Sequence, residues 1–227
     1  MCAQTVLAKD FTGEYHAFDA WMYENLFSPA VLKTFQPLLE EFCRTLPANA
    51  HVLDVGCGGG GMAVYLCSLR DDISITGIDL CPAQIRRALR TTQHIREKVR
   101  FEHGSALALP FQSSGFDAVI SITAIKHWPS QEQGISECLR VLKPGGALFI
   151  GEVDRGARLE TVRHLIRCSR TPFFLRAFAL PLIRTFIFGQ SCDLDDFRHL
   201  ANETTLANIR VDRTPNMPGI YMQGLRT

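Results

Sequence analysis

The chain has 227 residues, 46% of them apolar, which is enough for one large α/β domain with a sizeable buried core. A formal net charge of +1 gives no global electrostatic case for binding nucleic acid. The eight cysteines include no C-x-x-C pair, and several fall at apolar helical positions, so free thiols, no metal site and a reducing cytoplasm are expected.

Met1 to Asp10 has neither the apolar core of a signal peptide nor the arginine-rich character of a transit peptide, and no segment is long enough to span a membrane without interruption. Residues 15–27 are rich in aromatics, among them Tyr15, Trp21 and Tyr23, which read either as ordinary core or as the lining of a substrate mouth. Ser28-Pro29 has the pattern of an N-cap with proline at the first helical position, and a second helix is predicted to run to Leu46. Residues 1–46 are thus expected to form an N-terminal helical cap.

The run from His51 to Leu80 organises the rest of the chain. His51–Val55 is a short apolar strand, Gly56 to Gly61 a glycine turn, Met62 to Leu69 a helix, and Ser74 to Asp79 a second strand closed by a carboxylate. Gly56 and Gly58 permit positive φ and close approach of a ligand to the peptide groups. Asp79 is placed to accept hydrogen bonds from the hydroxyls of a ribose. Two cofactor classes share this pattern, because Gly56, Gly58 and Gly61 also satisfy the G-x-G-x-x-G spacing of a dinucleotide site. Asp54 favours the other class, since a carboxylate beside the turn repels a pyrophosphate and attracts a cationic amino group.

Pro82 opens a helix predicted to Ile95, Val99 to His103 is a third strand, and Gly104-Ser105-Ala106 lies where that strand meets the same edge. A fourth strand, Gly115 to Ile122, leads into SITAIKHWP (Ser121–Pro129), which should present Thr123, Lys126 and His127 at the mouth of the sheet. Gln131 to Leu142 reads as an amphipathic helix ended by a Lys143–Gly146 turn, and Ala147 to Glu152 as a fifth strand. Residues 153–203 read as a helical lid, with Arg163, Arg167 and Arg170 on one face and phenylalanines close behind. Those arginines suit a solvated face, an acidic substrate group, or peripheral contact with an anionic membrane. Residues 204–227 close the chain with two strands.

In this order and spacing, LDVGCGGG, GIDL, GSALALPF, FDAVISITAIKHW and LRVLKPGGALFIGE resemble the class I S-adenosylmethionine-dependent methyltransferases. The likeness is closest to the small-molecule branch that includes ubiquinone and menaquinone biosynthesis C-methyltransferases, and it covers Ala50 to Glu152. The resemblance implies a single Rossmann-like α/β domain with a seven-stranded sheet of order 3-2-1-4-5-7-6, only the seventh strand antiparallel, helices on both faces, and residues 47–152 as its cofactor-binding core. It places Asp54 near the methionine amino group, Gly56, Cys57 and Gly58 beside the cofactor, Asp79 on the ribose, Leu80 against the adenine and Thr123 at the methionine end. Ser105 and Ala106 fall at the adenine edge. Ser105 departs from the family, which usually carries aspartate there, and the lost charge-assisted bond is worth roughly 1 kcal/mol.

The implied function is methyl transfer to oxygen, nitrogen or carbon of a small, partly apolar metabolite. His127 is the candidate base, because an unperturbed histidine with a pKa of about 6.5 suits proton transfer near neutrality. Packing or hydrogen bonding in the loop is its alternative role. Tyr15, Trp21, Tyr23, His127, Arg163 and Arg167 are the candidate substrate contacts. A non-catalytic cofactor-binding module and an NAD-dependent oxidoreductase remain as alternative functions.

Overall fold

The computed structural model describes residues 28–184, 188–189 and 191–227. Tyr15, Trp21 and Tyr23 lie outside them. The first described helix, α1 (Ser28–Thr45), contains Pro37. Pro37 is exposed, as is Lys33 one turn earlier, so the carbonyl left without its amide partner faces solvent while Phe35, Leu39 and Phe42 stay on the buried side. Arg70 fastens the end of α1 by donating to the carbonyls of Cys43, Leu46 and Pro47 at 3.1, 2.8 and 2.9 Å.

Then follow β1 (His51–Val55), α2 (Gly61–Leu69), β2 (Ser74–Asp79), α3 (Pro82–Thr91), β3 (Val99–His103), β4 (Phe116–Ile122), α4 (Gln131–Val141) and β5 (Leu142–Val153). After β5 come α5 (Leu159–Cys168), α6 (Arg176–Ile183), α7 (Leu194–Asn202), β6 (Leu206–Arg213) and β7 (Gly219–Arg226). The strands form one sheet in the order β3-β2-β1-β4-β5-β7-β6. All pairs among β1 to β5 are parallel, and β7 runs antiparallel to both β5 and β6. The order and the antiparallel strand are those the resemblance implies.

Both faces of the sheet are covered, so the central strands read as unbroken apolar runs. On one face Val52, Ile75, Ile120, Phe149 and Tyr221 pack against Phe35, Leu39 and Phe42 of α1 and Leu66 of α2. On the other, Leu53, Val119, Leu148, Ile150 and Met222 meet Ile135 and Cys138 of α4 and Phe197 and Leu200 of α7. Along β5 the side alternates with every residue, Ala147 and Phe149 one way and Leu148 and Ile150 the other. The outer strand β6 is largely exposed and carries Arg210, Asp212 and Arg213, charges that discourage pairing with another sheet.

Three sequence expectations are corrected. Lys143–Gly146 is not a free turn before a strand at Ala147, because β5 already pairs Leu142 with Phe116 and the next pair is Ala147 with Ala118. The four residues between bulge out of the ladder, with Gly145 at φ 75 supplying the bend. The helix opened by Pro82 ends at Thr91, where Thr92 Oγ1 donates to the Ala88 carbonyl, and only a 3-10 turn continues to Ile95. The expected lid divides. Helices α5 and α6 form a separate apolar cluster with Ala30 of α1 and Val153 of β5, whereas α7 belongs to the main core. A capping box at Asp193 and Asp196 starts α7, and Arg155 anchors both carboxylates.

Phe149 is fully buried, stacks on Tyr221 with ring centroids 5.8 Å apart, and touches Phe35 and Phe42. Phe149→Ala should therefore lower unfolding free energy by about 3–5 kcal/mol, read as a reduced urea midpoint with unchanged slope.

Candidate functional site

The site is built where the chain leaves β1. Gly56 and Cys57 both donate their amides to the Ile78 carbonyl, at 2.8 and 3.0 Å, so the turn is stitched to the end of β2. Gly56 has φ +78, and a Cβ there would lie 2.3 Å from that of Ala124. Only glycine lets the loop after β4 come this close. Gly58 has φ 51, and its amide donates to Asp79 Oδ2 at 2.9 Å. The other oxygen, Oδ1, accepts from the Cys81 amide at 2.8 Å. Asp79 thus holds the glycine turn and the start of α3 together, and its carboxylate retains lone pairs for further donors.

Asp54, at the end of β1, is buried, and its Oδ2 has no hydrogen-bond partner. Burial, and next the nearby Asp79 charge, push its pKa up to about 7. Asp79 is also raised, chiefly by burial, with the Cys81 and Gly58 amides and the His103 side chain working against the shift. Two neighbouring acids at the ends of β1 and β2, one with an unsatisfied oxygen, favour a cationic amino group and disfavour a pyrophosphate. These residues fit the amino-acid and ribose parts of S-adenosylmethionine: Asp54 would take the ammonium and Asp79 the sugar hydroxyls.

Leu80 is 60% exposed just past Asp79, available as an apolar shelf, and its carbonyl lies 2.9 Å from His103 Nε2. Ser105 Oγ accepts the Leu107 amide at 3.1 Å, and a bridge to Ala108 closes that turn. The hydroxyl is therefore already engaged in backbone structure, although it keeps a second acceptor position. Ala106 is half-buried against the core, and Cys57 is buried in the turn. Thr123 sits at φ 56, a strained conformation for a β-branched residue, and its amide donates to the Gly151 carbonyl at 2.8 Å.

His127 ends the 3-10 turn Ile125–His127, with its amide bonded to the Ala124 carbonyl at 2.9 Å. The residue is exposed, and desolvation, then the Lys126 charge, push its pKa down to about 4. With its pKa lowered, the imidazole is neutral at pH 7 and a weaker proton acceptor than an ordinary histidine. Arg163 and Arg167 stand on the exposed face of α5, opposite Val162, Leu165 and Ile166, while Arg170 lies beyond the helix rather than on its face.

Sequence reasoning missed Glu152. Lys126, expected at the mouth, turns inward and its Nζ donates to Glu152 Oε1 at 2.9 Å; their side chains are 7% and 0% exposed. Glu152 Oε1 also accepts the Val153 amide, while Oε2 is buried without a partner. The pair fixes the loop carrying Thr123 and His127 to the end of β5. A charge at the end of an otherwise apolar buried strand was the available signal.

The stretch 53–150 matches the family model described as a methyltransferase domain. The chain is 33% identical over 127 residues to 27-O-demethylrifamycin SV methyltransferase of Amycolatopsis mediterranei, covering 54% of this chain and 46% of that protein. It is 39% identical over 109 residues to 2-methyl-6-phytyl-1,4-hydroquinone methyltransferase of Synechocystis, covering 48% and 33%. These alignments span less than half the length of either relative. Among solved structures, a SAM-dependent methyltransferase from Aquifex aeolicus superposes with a TM-score of 0.63 at 17% identity, over 91% of this chain and 93% of that one. The fold is that of the class I S-adenosylmethionine-dependent methyltransferases.

The buried acids set the pH behaviour. Between pH 4 and 7 the folded chain keeps Asp54 protonated where the unfolded chain does not, so this group's contribution to stability falls as pH rises through that window. Affinity for S-adenosylmethionine should rise over the same range, by up to ~tenfold per pH unit below 7, then level off. Calorimetry in buffers of different ionisation enthalpy should show a proton released on binding at pH 6, and an affinity flat across this range would contradict it. Separately, Glu152→Gln should cost about 3–5 kcal/mol by leaving Lys126 buried without its counter-charge. Lys126→Met combined with Glu152→Leu should restore most of that loss in a double-mutant cycle.

Proposed function

We propose that this chain, whose residues 53–150 match a methyltransferase domain model, is an S-adenosylmethionine-dependent enzyme that transfers a methyl group to oxygen, nitrogen or carbon of a small, partly apolar metabolite. The observation that carries this reading is the buried Asp54 carboxylate, whose Oδ2 has no partner and which feels the charge of Asp79, the acid that holds the glycine turn. When bound, the cofactor would supply an electrophilic methyl on a sulfonium: the acceptor's lone pair would form the new bond to carbon while the sulfur–carbon bonding pair stays on sulfur, giving a neutral thioether. The chain's own residues bind, align and exclude water. Asp54 and Asp79 would hold the two ends, Leu80, Ser105 and Ala106 would border the adenine, and Cys57 and Thr123 would flank the methionine portion.

His127, neutral at pH 7, accepts a hydrogen bond from the acceptor and turns its lone pair towards the methyl group. It takes the proton only from an acceptor acidic enough to release it, such as a phenol or an activated carbon. A partly apolar acceptor accords with the named activities of the relatives, one acting on a rifamycin and one on a phytyl hydroquinone. The acceptor approaches beside the Arg- and Phe-rich segment, which makes peripheral contact with a membrane. The seven described cysteines are all free, which supports a reducing compartment such as the cytoplasm. Among the described residues no helix is long and apolar enough to cross a membrane.

Incubation with methyl-labelled cofactor and a cell extract should transfer label to a metabolite and yield S-adenosylhomocysteine. Binding without any turnover would instead select the non-catalytic module, and preference for NAD in a thermal-shift comparison would select the oxidoreductase. Asp54→Asn and Asp79→Asn should each weaken cofactor binding roughly tenfold or more, the loss expected when a charge-assisted bond is removed. His127→Asn should lower turnover while leaving cofactor affinity unchanged.

A further inference from the structure

We infer that the turn between α5 and α6 is a membrane-docking tip, in which Phe173 and Phe174 enter an anionic phospholipid bilayer while Arg163, Arg167 and Arg170 meet its headgroups. This rests on the methyltransferase reading only for its purpose, the delivery of a lipophilic acceptor.

Phe173 and Phe174 are 80% and 63% exposed, the two most exposed large apolar side chains among the described residues. They stand edge to face, centroids 5.6 Å apart, after the exposed Pro172. The backbone below them is tied down. Buried Ser169 Oγ donates to the Ile166 carbonyl at 2.7 Å and lies 2.8 Å from Thr171 Oγ1, while Arg176 Nε donates to the Thr171 carbonyl at 3.1 Å. A pinned turn that displays adjacent phenylalanines keeps them from folding back onto the apolar cluster beneath, so their exposure is built in.

Charge identifies what they face. Residues 155–190 hold seven arginines against one glutamate, +6 in a chain whose total is +1, so the remainder carries −5. Arg155 is taken by Asp193 and Asp196. Arg163, Arg167 and Arg170 are exposed, and among the described residues no carboxylate pairs with them. Cationic side chains around an apolar tip are the composition that binds an anionic interface and is screened by salt. Position fits as well: α5 and α6 pack on Val153, at the carboxyl end of β5, and on Ala30 near the start of α1. The tip therefore belongs to the element that follows the cofactor edge of the sheet.

The test is co-sedimentation of the full chain with phosphatidylcholine vesicles, with or without about a third phosphatidylglycerol, at ionic strengths of about 0.02 and 0.5 M. The chain should pellet with the anionic vesicles at low salt, with partitioning falling at least ~tenfold at high salt or in Arg163→Gln/Arg167→Gln/Arg170→Gln. Phe173→Ser/Phe174→Ser should lose binding by a similar factor while keeping its melting temperature and its affinity for S-adenosylhomocysteine. Absence of pelleting at low salt, equal pelleting on neutral vesicles, or indifference to the phenylalanine substitutions would each overturn the inference. So would complete competition by inorganic phosphate at matched ionic strength, which would indicate a discrete anion site instead. A chain that binds S-adenosylhomocysteine but no vesicle sinks this inference alone; one that binds vesicles but neither S-adenosylhomocysteine nor S-adenosylmethionine leaves the docking tip standing and sinks the methyltransferase reading.

Discussion

The carboxylate of Asp79 is the constraint on which the rest of the site depends. It takes one amide from the glycine turn after β1 and another from the start of α3, while the carbonyl one residue earlier takes two more amides from the turn. Four hydrogen bonds at one strand end fix the separation of β1, α2 and α3. That fixed frame keeps Asp54 and Asp79 close enough for Asp79 to help raise the Asp54 pKa, a like-charge tension that water would relieve in an open cleft. A ligand that brings positive charge relieves it more completely. Binding and local electrostatic strain are thus opposite sides of one arrangement.

Much of this was legible because it is local. A buried strand, a turn that demands glycine, a helix and a second strand ending in an acid occupy fewer than about forty consecutive residues, and each step follows from the chemistry of its neighbours. The two closing strands were readable from their proline and glycine breaks. Other features depend on distant partners. Nothing near Lys126 says that it turns inward, because its acid lies 26 residues away on another strand. The depressed basicity of His127 comes from packing and the neighbouring cation, not from its type. Likewise α7 has the same amphipathic pattern as α5, and only the tertiary structure assigns one to the main core and the other to the flanking cluster.

The buried Lys126–Glu152 pair illustrates how stability and placement compete. Removing two charges from water is costly, and apolar side chains of similar volume would serve packing at least as well. What the pair provides is direction: a loop that could rest in several ways on an apolar surface has one position in which both charges are matched. The loop runs past Gly56, where no side chain fits beneath Ala124, so its position is also limited by close contact with the glycine turn. Gly56 and the ion pair therefore both constrain the loop that follows β4.

Thr123 adds a final consequence. Its left-handed backbone stores on the order of 1–3 kcal/mol that glycine would release. Natural chains sit only modestly above the stability they need, so such a reserve is an obvious target for improving robustness. Here the gain would loosen the residue from which the rim departs β4. A thermally hardened version of this fold, relaxed at that point, would trade a fixed loop position for endurance.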